Sequence, residues 1–165
     1  LLNRISLQPG EAIFLPAGNL HSYLHGVGME VMANSDNVMR GGLTPKHVDV
    51  PELLRVLDFH PARDDTLHPH TQRDGIELVY QTPAPEFATS VLILDDENLG
   101  HEVDAPCRHD GPQILVCTQG SAVVRAKSDE VRIDRGSSAW VAADDGPIRL
   151  EATEPKTLFR ATVGL

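Results

Sequence analysis

The residue best placed by type and spacing to do chemistry is His21. It closes the run Gly10-x5-Pro16-Ala17-Gly18-Asn19-Leu20-His21. A glycine at a tight turn starts one strand, and the rigid Pro16-Ala17-Gly18-Asn19 turn leads into the next, which begins near His21. An imidazole delivered this way faces inward in a small barrel, where a site can form. A neutral ring nitrogen there is a good ligand for zinc, iron, manganese or copper. The plain alternative is a core histidine satisfied by its neighbours. Other chemistry-bearing groups carry less. His25 is a bystander. Asp36 and Asn37 are turn-formers that bond their own backbone. His68-Pro69-His70 is at most half a metal site and lies in a polar stretch. Cys107 and Cys117 lack metal-ligand spacing and read as idle thiols.

The elements that must position His21 are β-strands. Short apolar runs alternate with Gly, Pro, Asn and Asp turns. The pattern predicts strands at Glu11–Leu15, Leu20–Leu24, Val27–Ala33, Glu77–Tyr80, Phe87–Asp95, Gln113–Thr118, Ser121–Lys127, Glu130–Ile133, Ser137–Val141, Ile148–Glu151 and Leu158–Val163. Ala122, Val124 and Ala126 share one side of their strand. So many short strands suggest a sandwich or small barrel. One helix opens at Val50-Pro51-Glu52, with proline in the first turn where a missing N–H costs nothing. Its apolar face is Leu53, Leu54, Val56 and Leu57, and Phe59-His60-Pro61 ends it. Pro61–Gly75 reads as a loop or linker. Gly10–Pro16 is echoed by Gly136–Ala142, 126 residues later, each a glycine, an apolar strand and a turn. The later copy lacks the polar residues of the first, and its Trp140 is expected to pack a second barrel.

Composition narrows the function classes. The chain has 165 residues, 41% of them hydrophobic, and a formal net charge of −10. That acidity, with no basic stripe, argues against nucleic acid as a partner. No apolar run approaches the ~18 residues of a membrane span. Two cysteines make no disulfide framework, so a reducing cytoplasm is the expected compartment. The sequence carries no signal for an oligomeric state.

The His21 spacing matches the second cupin motif, G-x5-P-x-G-x2-H. The run Leu7–Lys46 (LQPGEAIFLPAGNLHSYLHGVGMEVMANSDNVMRGGLTPK) further resembles the signature region of class I mannose-6-phosphate isomerases. Gly111–Gly120 (GPQILVCTQG) resembles that family's C-terminal cupin domain. The resemblance implies a mostly β, cupin-type jelly-roll fold. It also implies a zinc-dependent aldose–ketose isomerase that interconverts mannose 6-phosphate and fructose 6-phosphate, with a small phosphosugar as substrate. Carried over by position, His21 is a zinc ligand, Arg40 the catalytic arginine, Glu30 an acidic pocket residue and Lys46 a pocket lysine. Such a set suits the reaction. Negative charge grows on sugar oxygens as a proton leaves carbon, and a Lewis-acid metal or a guanidinium stabilises it. Glu30 is the nearby carboxylate able to shuttle a proton, and Lys46 is a point charge for phosphate.

The resemblance also marks a departure. The family draws its other zinc ligands from a Gln-x-His pair and a glutamate, and neither motif precedes His21. The chain starts at Leu1 and reads as the C-terminal part of a parent protein. Residues 1–48 would be the end of a catalytic barrel, 49–74 a helix and linker, and 75–165 a near-complete, degenerate barrel without metal. Alone, the chain is expected to be inactive. The competing readings are another metal-dependent cupin enzyme, or a metal-free cupin module for sugar binding or oligomerisation.

Overall fold

A computed structural model describes residues 3–35, 38–60, 67–107, 111–127 and 129–164. Asp36, Asn37 and the start of the predicted Pro61–Gly75 linker, residues 61–66, lie outside the described residues. The chain divides into two compact units, Leu1–Pro69 and His70–Leu165.

The second unit holds all ten strands found among the described residues. They are β1 (Thr71–Asp74), β2 (Glu77–Tyr80), β3 (Phe87–Leu94), β4 (Glu102–Ala105), β5 (Gln113–Gln119), β6 (Ser121–Arg125), β7 (Glu130–Asp134), β8 (Ser138–Val141), β9 (Ile148–Glu151) and β10 (Lys156–Val163). They form a six-stranded sheet, in the order β1-β2-β3-β10-β5-β8, and a four-stranded sheet, β4-β9-β6-β7. Every pairing is antiparallel. Antiparallel sheets bury one face and leave the other to solvent, which produces the alternation seen in the sequence. The buried faces supply Leu92, Leu94, Leu115 and Leu158 from the larger sheet and Val124, Ile133, Ile148 and Leu150 from the smaller. The mostly β, cupin-type reading holds here.

Two strands were not visible as such. β1 falls within the stretch read as a loop. Its four residues are polar and exposed, so only its pairing with β2 makes it a strand. β4 is short and half acidic, and it is held by its register with β9. Trp140 also departs from expectation. It is 67% exposed, whereas its neighbours Ala139 and Val141 are buried. With a side-chain period of two, a strand that sends Ala139 and Val141 inward must send Trp140 out.

The first unit contains the helix α1 (Val50–Val56). Asp49 caps it, its side chain accepting the Glu52 N–H at 3.1 Å, and Leu53 is its buried residue. The helix ends earlier than the sequence suggests. The Asp58 N–H donates to the Gly18 carbonyl at 3.0 Å, instead of continuing the helical ladder. The strands expected at Glu11–Leu15, Leu20–Leu24 and Val27–Ala33 do not form among the described residues. A strand is defined by its ladder with a neighbour, and these extended segments have no such ladder here. No helix among the described residues is long and apolar enough to cross a membrane.

Candidate functional site

The candidate site lies within the first unit and is built on two turns. In the first, the Glu11 N–H donates to the Gln8 carbonyl at 3.0 Å, with Gly10 at φ +88°. In the second, the Asn19 N–H donates to the Pro16 carbonyl at 3.3 Å, with Gly18 at φ +79°. Both glycines occupy the left-handed region that other residues rarely adopt. Gly18 is also tightly placed. A Cβ there would sit 3.0 Å from the Val56 carbonyl oxygen at the end of α1. The helix end therefore anchors the turn that precedes His21.

His21 is exposed, and its Nδ1 lies 3.0 Å from the Asn19 carbonyl oxygen. A carbonyl only accepts, so Nδ1 carries the proton and Nε2 keeps a free lone pair. A backbone carbonyl bonded to one ring nitrogen is the usual way of fixing the tautomer of a ligating histidine.

His21, Arg40 and Lys46 line one cavity of about 270 Å³. Asn19, Leu20, Val38, Met39, Gly41, Gly42 and Thr44 complete its wall. A Cβ on Gly41 would run into Leu20, so the Arg40 segment packs closely on the His21 segment. The opening combines a guanidinium and an ammonium group with an imidazole lone pair, a combination suited to an anionic, oxygen-rich ligand.

Glu30 is not part of that lining. Its Oε1 accepts the Tyr23 hydroxyl at 2.6 Å. The Tyr23 ring in turn meets the His21 ring edge-on, with centroids 5.8 Å apart. The Glu30 hydrogen bond, reinforced by desolvation and by the carboxylate's charge, pushes the Tyr23 phenol up to about 12. Tyr23 therefore stays protonated and donates to Glu30 throughout the physiological range. Sequence reasoning missed Tyr23, Thr44 and the Asn19 carbonyl. The available signal was period: Asn19, His21 and Tyr23 stand two apart in extended chain and share a side.

No protein-family profile matches the chain. Individual relatives do. The mannose-6-phosphate isomerase of Salmonella typhimurium is 41% identical over 155 residues, 93% of this chain and 38% of the relative. The human mannose-6-phosphate isomerase is 35% identical over 167 residues, 97% of this chain and 38% of the relative. A crystal structure of the Salmonella typhimurium enzyme, bound to substrate and a zinc atom, superposes with a TM-score of 0.66 at 34% identity. It covers 81% of this chain and 32% of that one. The chain is thus similar to the C-terminal part of mannose-6-phosphate isomerases. It spans less than two-fifths of the length of these relatives.

Zinc in a mannose-6-phosphate isomerase raises a question of fit. A catalytic zinc takes three protein ligands and leaves a position open. Among the described residues, no three or more His, Cys, Asp or Glu side chains stand together as a metal site. His21 offers one well-oriented ligand, and this chain's described residues do not complete the set. His68 and His70 join no such group either. Cys107 and Cys117 are free thiols, and burial pushes the Cys117 thiol up, away from the reactive thiolate.

Proposed function

We propose that this chain supplies part of the active site of a zinc-dependent mannose-6-phosphate isomerase, acting on mannose 6-phosphate and fructose 6-phosphate. The observation that carries this reading is the single cavity holding His21, Arg40 and Lys46. Each residue then has a role. His21 gives its Nε2 lone pair as one zinc ligand, the other ligands coming from residues outside this sequence. Arg40 is the catalytic arginine. Its guanidinium stabilises negative charge on the sugar oxygens as the proton leaves carbon, and it does so without reorganising. Lys46 holds the phosphate. Glu30, kept as an acceptor by Tyr23, is the carboxylate beside the site that can take and return a proton. The two free thiols support a reducing, cytoplasmic setting.

The test joins this chain to the N-terminal part of the Salmonella typhimurium relative. Zinc content and isomerase activity are measured for the chimera, its His21→Ala variant and the chain alone. The chimera should bind zinc and turn over substrate, His21→Ala should lose both, and the chain alone should show neither. A folded chimera with neither property would overturn the assignment in favour of a metal-free module. Stoichiometric zinc and activity in the chain alone would overturn the placement of the remaining ligands.

A further inference from the structure

Between Arg40 and Lys46 lies a loop whose backbone is unusually constrained. Gly41 packs where a Cβ would meet Leu20, Gly42 has φ +131°, and Leu43 has φ +54°. The left-handed region is rarely adopted by leucine, and the Leu43 side chain gains nothing in return, since it is 98% exposed. A backbone held this way calls for something that benefits from it. What the turn delivers is Thr44. It lines the same cavity as Arg40 and Lys46, and its side chain is half-buried. Thr44 Oγ1 accepts the Lys46 backbone N–H at 3.2 Å. A hydroxyl can accept and donate at once. With the Lys46 N–H on one of its lone pairs, Thr44 still has its own proton to give, and the accepted bond polarises it for that role.

We propose that Thr44 is an anion-binding residue, its hydroxyl donating to a phosphate oxygen beside the Lys46 ammonium. The proposal rests on the reading of this cavity as a phosphosugar site and adds a residue to it. Thr44 then does two things: it fixes the backbone that carries Lys46, and it supplies a short, neutral donor where Lys46 supplies charge. A lysine alone is a point charge on a flexible stem. A hydroxyl set against it gives the site direction.

The experiment is an NMR titration of the isotope-labelled chain with inorganic phosphate, following the amide signals of Arg40, Thr44 and Lys46. The wild-type chain, Thr44→Val, Thr44→Ser and Lys46→Gln are compared. Valine keeps the shape and removes the hydroxyl, while serine keeps the hydroxyl and removes the methyl. The wild type should bind phosphate through this loop. Thr44→Val should weaken binding about tenfold, the loss expected for one hydrogen bond to a charged group. Thr44→Ser should stay within about twofold of the wild type, since the donor is preserved. If the wild type binds and Thr44→Val binds equally well, the Thr44 proposal falls and the cavity reading stands. The proposal falls equally if Thr44→Ser loses as much as Thr44→Val, because the threonine then acts through packing. If the wild type shows no phosphate-dependent shifts, the reading of Lys46 as a phosphate residue falls, and the role of Thr44 with it.

Discussion

Arg160 is a buried cation in the second unit, and removing it should be costly in a way its partner can rescue. The residue is 2% exposed. Its Nη1 donates to Glu77 Oε1 at 3.1 Å and to the Pro106 carbonyl at 2.8 Å, and its Nη2 donates to the Ala105 carbonyl at 2.7 Å. Glu77 is buried too and also accepts the Ser90 hydroxyl. Arg160→Met would leave a buried carboxylate with Ser90 alone. Breaking a buried pair by removing one partner costs about 3–5 kcal/mol, a large share of the ~5–15 kcal/mol that holds a domain together. Glu77→Leu leaves the opposite charge buried and should cost a similar amount. The double variant removes both charges. It still orphans two carbonyls, but it spares the desolvation of both ions, including an Arg160 Nε that has no hydrogen-bond partner among the described residues. It should therefore lie within about 2 kcal/mol of the wild type, far below the sum of the single losses. Urea unfolding followed by far-ultraviolet circular dichroism reads this directly, because the strands found among the described residues all lie in the second unit. A single variant costing under about 1 kcal/mol, or a double variant costing as much as both singles together, would refute the reasoning.

Two further predictions concern the first unit. Glu30→Gln removes the main cause of the raised Tyr23 phenol, so an alkaline absorbance titration should show that midpoint falling from about 12 toward 10. The sign is fixed. The raised folded value stabilises the protein while the phenol is protonated, fully below pH 10, and that contribution fades as pH rises through 12. An unmoved midpoint would mean Glu30 is not the partner. Gly18→Ala should destabilise the first unit by about 1–2 kcal/mol through its left-handed backbone alone, with more from the crowding against Val56. It should also shift the amide signals of Asp58 and His21 together, since the Gly18 carbonyl holds the Asp58 N–H. Changes confined to one of those two would separate the turn from the helix end.

What was legible in the sequence followed from burial. Leu115 and Cys117 point inward on β5 and alternate with exposed or half-buried neighbours, so the strand declares itself. β1 could not, because all four of its side chains face water and its identity lies in hydrogen bonds to β2. The same divide separates the site residues. Gly10, Pro16, Gly18 and His21 form a spacing that the turn geometry demands, and it can be read from residue type. The position of Glu30 outside the cavity lining could not, because it depends on which donor it finds, and that donor, Tyr23, is seven residues away. Trp140 was misjudged for a related reason. Its size suggests a core, but its parity within β8 decides.

The internal echo explains why chemistry would reside in one copy of the unit and not the other. The first turns agree closely. Gly10 and Gly136 both have φ +88°, and each follows the same turn, closed by Glu11 N–H to the Gln8 carbonyl and by Ser137 N–H to the Asp134 carbonyl. The second turns, closed by Asn19 N–H to the Pro16 carbonyl and by Asp145 N–H to the Ala142 carbonyl, share their hydrogen bond but not their glycine: Gly18 (φ +79°) lies inside the first, and Gly146 (φ +73°) lies one residue beyond the second. Two residues beyond each of those turns the copies part. The first has His21, whose free nitrogen lone pair can ligate a metal. The second has Pro147, whose ring offers no lone pair and no donor. A proline side chain cannot ligate a metal, so this exchange leaves the second copy without a ligand at that place. Beyond it the second copy runs into its sheet, where Arg149 and Arg125 tie β4, β9, β6 and β7 together through Glu102, Glu130 and Glu151. The scaffold therefore sets where a side chain is delivered, and the residue type at that place sets whether it can act.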